Sequence, residues 1–93
     1  MRLFYQDEEL GTIQEVVGEQ PWMSGTFVAS PNVDRYRGFF GWMVDEDNGG
    51  KEPPFDASLL DENNWFIVED SGRRRGIGLP AVHPDGLIMW RWR

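Results

Sequence analysis

The chain has 93 residues, of which 40% are hydrophobic and 14% aromatic, and its formal net charge is −7. A chain of this length buries only roughly 60–65% of the surface it exposes when unfolded, which excludes a second hydrophobic core. The content of bulky residues is too high for a disordered chain. We therefore expect a single globular domain over residues 1–93.

The chain contains no cysteine, which excludes disulfides and thiolate metal sites and disfavours a secreted disulfide scaffold. The N-terminal segment becomes acidic at Asp7 before any apolar run forms, so it lacks the pattern of a signal peptide. No run of eighteen apolar residues occurs. These features predict a soluble protein in the cytoplasm, with no membrane partner and no cofactor.

The charges are distributed unevenly along the chain. Residues 1–70 contain fifteen acidic and four basic residues, whereas residues 71–93 contain one acidic residue and five arginines. Nucleic-acid binding is disfavoured for an acidic chain, because affinity for phosphate backbones comes from clustered Lys and Arg. The charge instead favours a basic protein partner, unless the C-terminal arginines neutralise the acidic part within the fold.

The N-terminal third of the sequence predicts three strands. Leu3 to Tyr5 form the first strand by composition, a polar turn follows at residues 6–9, and Thr12 to Val17 form the second strand. Residues 22–29 alternate with a period of two and predict the third strand. Gly25 within it indicates a bulge or the close approach of another group.

The main helix is predicted to start at Ser30 and Pro31, since serine caps the first turn and proline fits the first helical position. Apolar residues then recur at spacings of three and four and give the helix one apolar stripe. The stripe consists of Val33, Tyr36, Phe40, Met43 and Val44. Gly38 and Gly41 inside the helix each cost about 1 kcal/mol relative to Ala, which indicates close approach to the sheet or to another chain.

The second half of the sequence predicts a short helix and three more strands. The short helix runs from Asp56 to Leu60, with Asp56 as its cap. The strands are predicted at residues 65–69, 75–82 and 87–93, and Pro80 places the second of them at an edge or bulge. The order β-β-β-α-α-β-β-β predicts an α+β domain, with an antiparallel sheet of five to six strands and both helices packed on one face.

The acidic loop after the main helix is the first candidate site. Asp45, Asp47 and Asp56 fall at positions one, three and twelve of a calcium-loop pattern. The match is partial, because glycine at position five and proline at position nine provide no side-chain oxygen. We therefore assign no metal. Acidic residues are unfavourable at a helix C-terminus, which suggests that arginines 73–75 or a partner compensate them.

The second candidate site lies in the C-terminal part of the chain. Positive charge and stacking surfaces, the components of single-strand nucleic-acid sites, are combined in Arg73, Arg74, Arg75, Trp90 and Trp92. In a strand, however, both tryptophans share a face with Ile88, which favours a place in the core or in a contact patch. Nucleic-acid binding is accordingly the less favoured interpretation of this segment.

Groups for conventional catalysis are few. The single histidine, His83, lies beside a Pro-Asp-Gly turn, where a structural role is expected. The serines lack the context of a nucleophile elbow, and Gly76-Ile77-Gly78 lacks the remaining glycines of a nucleotide-binding loop. We therefore expect that the protein is not an enzyme.

By elimination, the sequence favours a binding role, because aromatic residues, Met and Arg are enriched at the centres of interfaces. We expect a small acidic protein-interaction module that antagonises a basic protein, of the inhibitor or immunity type found among bacterial and phage accessory proteins. The alternative is a small-ligand or divalent-metal-binding domain built on the acidic loop, and self-association is a further option. The expected partner-binding residues are Asp45, Glu46, Asp47, Trp42, Trp22 and Met23.

Overall fold

The computed structural model describes residues 1–19, 21–45, 47 and 52–93. The strands are β1 (Arg2–Tyr5), β2 (Glu8–Glu19), β3 (Trp22–Ala29), β4 (Trp65–Val68), β5 (Arg74–Gly76), β6 (Ala81–Val82) and β7 (Leu87–Trp90). Between β3 and β4 lie a 3-10 helix at Pro31–Tyr36, the helix α1 (Arg37–Val44), and 3-10 turns at Ala57–Leu60 and Glu62–Asn64. Among the residues that the structure describes, no helix is long and apolar enough to cross a membrane.

The seven strands form one antiparallel sheet in the order β5-β4-β1-β2-β3-β7-β6. The predicted α+β class is confirmed, whereas the predicted five to six strands are too few. Residues 75–82, predicted as one strand, contain two that have different partners, because β5 pairs with β4 and β6 pairs with β7. Pro80, which has no N–H to donate, lies in the break between them.

The sheet curls so that the chain after β5, at one end, reaches the chain after β7, the last strand but one at the other end. Ile77, directly after β5, forms an antiparallel bridge with Trp92, which follows β7. The main-chain N–H of Gly78 donates to the carbonyl oxygen of Arg91 at 2.9 Å. The predicted last strand is therefore divided: Leu87–Trp90 pairs with β3, and the following residues reach the chain beyond β5. Strand neighbours thus run in a circle, as in a small barrel.

The hydrophobic core lies inside this curled sheet, because alternate side chains of each strand point inward. The rings of Phe39 in α1 and Trp65 in β4 are stacked with centroids 5.0 Å apart. The indole Nε1 of Trp65 donates to the carbonyl oxygen of Leu59 at 2.8 Å. Both tryptophans of the core, Trp65 and Trp90, are fully buried. The helical segment therefore packs on the sheet through aromatic side chains.

The helices are shorter than predicted. Ser30 precedes the helical region as expected, but its side chain makes no capping hydrogen bond, and the α-helix begins only at Arg37 after six 3-10 residues. The predicted second helix is a four-residue 3-10 turn, capped as predicted by Asp56. Asp61 caps the next turn through the N–H of Asn63. Four residues between two caps are too few to nucleate a stable α-helix.

Three glycines test the predictions of close packing. A Cβ atom at Gly25 would lie 2.8 Å from Cγ2 of Ile13 and 2.9 Å from the carbonyl oxygen of Gln14, so the predicted close approach is confirmed. For Gly38 and Gly41 the expected contact with the sheet is wrong, because a Cβ at either would meet nothing within 4 Å. Both helical glycines face open space in the described structure.

Candidate functional site

A surface rich in carboxylates follows α1. We define the acidic segment as the described carboxylates between residues 45 and 62, namely Asp45, Asp47, Glu52, Asp56, Asp61 and Glu62. All of them are exposed, and none belongs to an ion pair within the described part of the chain. Glu46, predicted for this site, lies outside the described residues. The described carboxylates thus keep their charge facing solvent.

Three aspartates of the acidic segment shape the local backbone. Asp45, Asp56 and Asp61 each accept a hydrogen bond at 2.9 Å from the main-chain N–H two residues further on. This is the arrangement of an Asx turn, in which the side chain replaces a main-chain acceptor. The hydrogen bonds from Ser58 lower the pKa of Asp56 below its ordinary value. The carboxylates are therefore attached to ordered turns, each with a second oxygen left to bind.

Aromatic residues adjoin the acidic segment at both ends. Trp42, in the last turn of α1, contacts Phe55 edge-on with ring centroids 5.5 Å apart. At the other end, Glu62 lines a shallow hollow together with Trp22, whose side chain is 43% exposed. Met23 packs against the core opposite Trp90. The structure therefore places Trp42 and Trp22, but not Met23, beside exposed carboxylates.

The middle of the calcium-loop pattern cannot be compared with the structure, because residues 46 and 48–51 lie outside the described residues. Among the described residues, no group of three His, Cys, Asp or Glu side chains is placed to hold a metal ion. One oxygen of Asp45 and one of Asp56 accept main-chain N–H groups. The assignment of Asp45, Asp47 and Asp56 to a calcium site stays a prediction.

Two of the three arginines at 73–75 pair with carboxylates of the sheet and its turns. Arg75 pairs with Glu69 at 2.9 Å and Arg74 with Asp7 at 3.6 Å. Arg73 is exposed and has no ion pair with any described residue. Arg74 and Arg75 thus pair with acidic residues outside the acidic segment, so they do not compensate its described carboxylates.

Arg74 and Arg75 also cover aromatic rings on which the bases of a single-stranded nucleic acid would have to stack. The guanidinium of Arg74 lies 3.9 Å from the ring centroid of Phe66, and that of Arg75 lies 4.0 Å from the ring centroid of Trp92. Trp90 is fully buried and offers no surface for stacking, which corrects its place in the nucleic-acid hypothesis. Of the two tryptophans in that hypothesis, only Trp92 is partly accessible, and Arg75 already stacks on it.

A groove that the sequence did not predict lies between α1 and the turn joining β6 to β7. It encloses about 290 Å³. Its apolar lining includes Phe27, Val33, Phe40 and Val82, and its polar side chains are Arg37 and His83. The available signal was the spacing of Arg37 and Gly41, which places a cation and a residue without a side chain on one face of α1.

No protein-family model matches this chain, and no curated protein or solved structure matches it at a significant level. Its function is therefore inferred from its own residues.

Proposed function

We propose that this protein is a small non-enzymatic interaction module that binds a basic protein partner through the acidic segment, as an inhibitor or immunity protein does. One observation carries the proposal. The described carboxylates between residues 45 and 62 are exposed and have no ion pairs in the described structure, whereas Arg74 and Arg75 pair with Asp7 and Glu69. The negative charge of this surface thus remains available to another molecule.

The arrangement of these carboxylates suits electrostatic recognition. Carboxylates clustered on one surface attract a basic protein before contact and raise its association rate. The Asx turns at Asp45, Asp56 and Asp61 hold the backbone, so less conformational entropy is lost on binding. Each carboxylate also has a second oxygen that can accept a bond from Arg or Lys of the partner.

The neighbouring tryptophans support a contact surface that is not electrostatic alone. Trp42 adjoins the C-terminal end of α1, where Asp45 lies, and Trp22 is close to Glu62. Tryptophan is enriched among the residues that contribute most to interface affinity, and surrounding polar groups exclude water from such contacts. A basic partner that covers the acidic segment would therefore meet the apolar surface of Trp42 at one end, whereas at the other end Trp22 and Glu62 share their hollow with Arg91 and Arg93.

Affinity purification from the native host tests this function. Wild type is expected to retain a basic protein in a one-to-one ratio, and the complex is expected to dissociate as salt is raised, because the Debye length falls from about 8 Å at 0.15 M to about 3 Å at 1 M. The variant D45N/D47N/E52Q removes three charges and keeps an acceptor oxygen at each position. It is expected to weaken binding roughly tenfold or more, mainly through slower association.

The matched control is D7N/E15Q/D85N, which removes three charges outside the acidic segment. It is expected to bind the partner within a factor of about three of wild type. Equal weakening by both triple variants would show that net charge alone matters and that the acidic segment is not the contact surface. Absence of any basic partner, together with thermal stabilisation by millimolar calcium, would favour the alternative metal-binding function.

A further inference from the structure

We infer that the groove between α1 and the β6–β7 turn binds a small apolar carboxylate, with its apolar body in the groove and its carboxylate at Arg37 and His83. This binding site is separate from the acidic segment and does not depend on the proposed protein partner. The ligand class follows from the lining of the groove, from the hydrogen-bonding state of its two polar side chains, and from the glycine at its rim.

The base of the groove is apolar and preformed. Phe27 of β3 and Phe40 of α1 meet edge-on with ring centroids 6.2 Å apart. Val33 and Val82 line the same space. The enclosed 290 Å³ is at the lower end of small-molecule pockets, which begin at roughly 300 Å³. Such a space suits a ligand of about ten non-hydrogen atoms, and its walls favour a hydrocarbon body.

The polar side chains of the groove have donors to spare. The Nε of Arg37 donates to Asp34 at 2.7 Å, while the two terminal nitrogens of Arg37 make no hydrogen bond to any described residue. These nitrogens present the pair of N–H groups that binds a carboxylate. The main-chain N–H of His83 donates to the Leu87 carbonyl oxygen at 2.8 Å, which holds this residue in the turn, where it lines the groove.

An acidic ligand fits these groups better than a neutral or basic one. Arg37 is permanently charged, and a carboxylate can bind its terminal nitrogens without displacing Asp34 from Nε. A basic ligand would be repelled by the same guanidinium. A neutral ligand would leave the two terminal nitrogens of Arg37 to water and gain no charge-assisted hydrogen bond from them.

Gly41 explains why the groove is open. A glycine inside a helix is destabilising relative to alanine, and a Cβ at this position would meet no atom within 4 Å. Gly41 is, however, part of the groove lining, so a larger side chain here would extend over the binding space. Gly38 faces open space in the same helix and does not line the groove; nothing in the structure explains it.

The two glycines supply a matched pair of variants for a binding experiment. The probe is 3-phenylpropionate, titrated into the ¹⁵N-labelled full chain and followed by amide chemical shifts. Wild type is expected to show shift changes centred on Phe27, Val82 and His83, with a dissociation constant on the order of 1 mM or lower. G41L should lose at least about tenfold in affinity, whereas G38L, which adds the same side chain outside the groove, should bind as wild type does.

The carboxylate requirement is tested with 3-phenylpropanol, which has the same apolar body and no charge. Wild type is expected to bind the alcohol at least about tenfold more weakly than the acid, and R37Q is expected to abolish this preference. Shift changes away from the groove, equal binding by G41L, or equal affinity for acid and alcohol would each overturn the inference. None of these results bears on binding of a protein at the acidic segment, which D45N/D47N/E52Q tests separately.

Discussion

The guanidinium of Arg75 lies over the indole of Trp92, 4.0 Å from the ring centroid, and its Nη1 donates to Glu69 at 2.9 Å. Arg75 belongs to β5, and Trp92 forms the bridge that closes the sheet. One side chain therefore connects the turn before β5 to the C-terminal segment. Both members of the ion pair are largely shielded from solvent, with exposures of 34% and 22%, so solvent screens this contact less than it does a fully exposed pair.

The first prediction concerns this contact. The variant R75Q should lower the free energy of unfolding by about 1–2 kcal/mol, because it removes a cation–π contact and a charge-assisted hydrogen bond. Urea denaturation followed by tryptophan fluorescence measures the change. The control R73Q removes an exposed arginine without an ion pair and should change stability by less than about 0.5 kcal/mol. An equal loss of unfolding free energy in R75Q and R73Q would contradict a stabilising role of the Arg75 contacts.

A second prediction concerns the buried indole of Trp65. The variant W65F removes the donor to the Leu59 carbonyl oxygen and leaves space in the core. The expected loss is about 2–4 kcal/mol, from an unpaired buried acceptor and lost packing. Thermal and urea unfolding by circular dichroism measure it.

W22F provides the comparison, because Trp22 is 43% exposed and donates no hydrogen bond that shapes the core. Its cost should stay below about 0.5 kcal/mol. If W22F and W65F lowered the free energy of unfolding by similar amounts, the hydrogen bond to Leu59 would not be the cause of the destabilisation at position 65.

A third prediction uses glycine to alanine substitutions in two environments. G25A should destabilise the protein by about 1–3 kcal/mol, because its Cβ would overlap Ile13 and the carbonyl oxygen of Gln14 in a packed interior. G38A should instead stabilise it by about 0.5–1 kcal/mol, since it improves helix propensity and meets no atom. Urea unfolding measures the change in the free energy of unfolding for each variant. Changes of opposite sign are expected, and changes of the same sign would contradict the contrast between a packed and an open position.

A fourth prediction concerns alkaline pH. Burial, and secondly the carboxylate of Glu8, raise the pKa of Tyr36 above its ordinary value of 10.0. The folded state thus holds the phenol proton more tightly than the unfolded chain does. The resulting stabilisation is complete below the unfolded-state pKa and is lost as pH rises through the folded-state pKa.

The measurement is urea unfolding of wild type and Y36F between about pH 9 and pH 11. The free energy of unfolding of wild type should fall more steeply with pH than that of Y36F, since only wild type carries the phenol. Parallel curves for the two proteins would show that Tyr36 ionises alike in the folded and unfolded states.

Local sequence patterns predicted the structure correctly for segments whose conformation depends mainly on their own residues. Alternation with a period of two predicted the third strand, and β3 has the same bounds, Trp22–Ala29. The cap at Asp56 was also predicted correctly. After Ser30, the buried residues Val33 and Tyr36 are three apart, a spacing that a 3-10 helix places on one face. The sequence pattern did not distinguish this helix from the expected α-helix.

Features that depend on distant segments could not be predicted from local patterns. The division of residues 75–82 follows from the positions of β4 and β7, which offer partners on different sides. The pairing of Arg74 with Asp7 likewise depends on the sheet order. For the candidate site, the charges after α1 were evident in the sequence, but their freedom from ion pairs in the described structure was not. The groove was missed because its lining comes from several separate segments.

The strand order has a consequence for folding kinetics. Arg2 in β1 lies opposite Val68 in β4, and Thr26 in β3 lies opposite Leu87 in β7. Each half of the chain therefore needs a strand from the other half before its own pairing is complete. Closing such long loops lowers chain entropy before stabilising contacts form, and domains rich in non-local pairings refold in milliseconds to seconds. The sheet should accordingly form in one slow cooperative step, late relative to its individual hairpins.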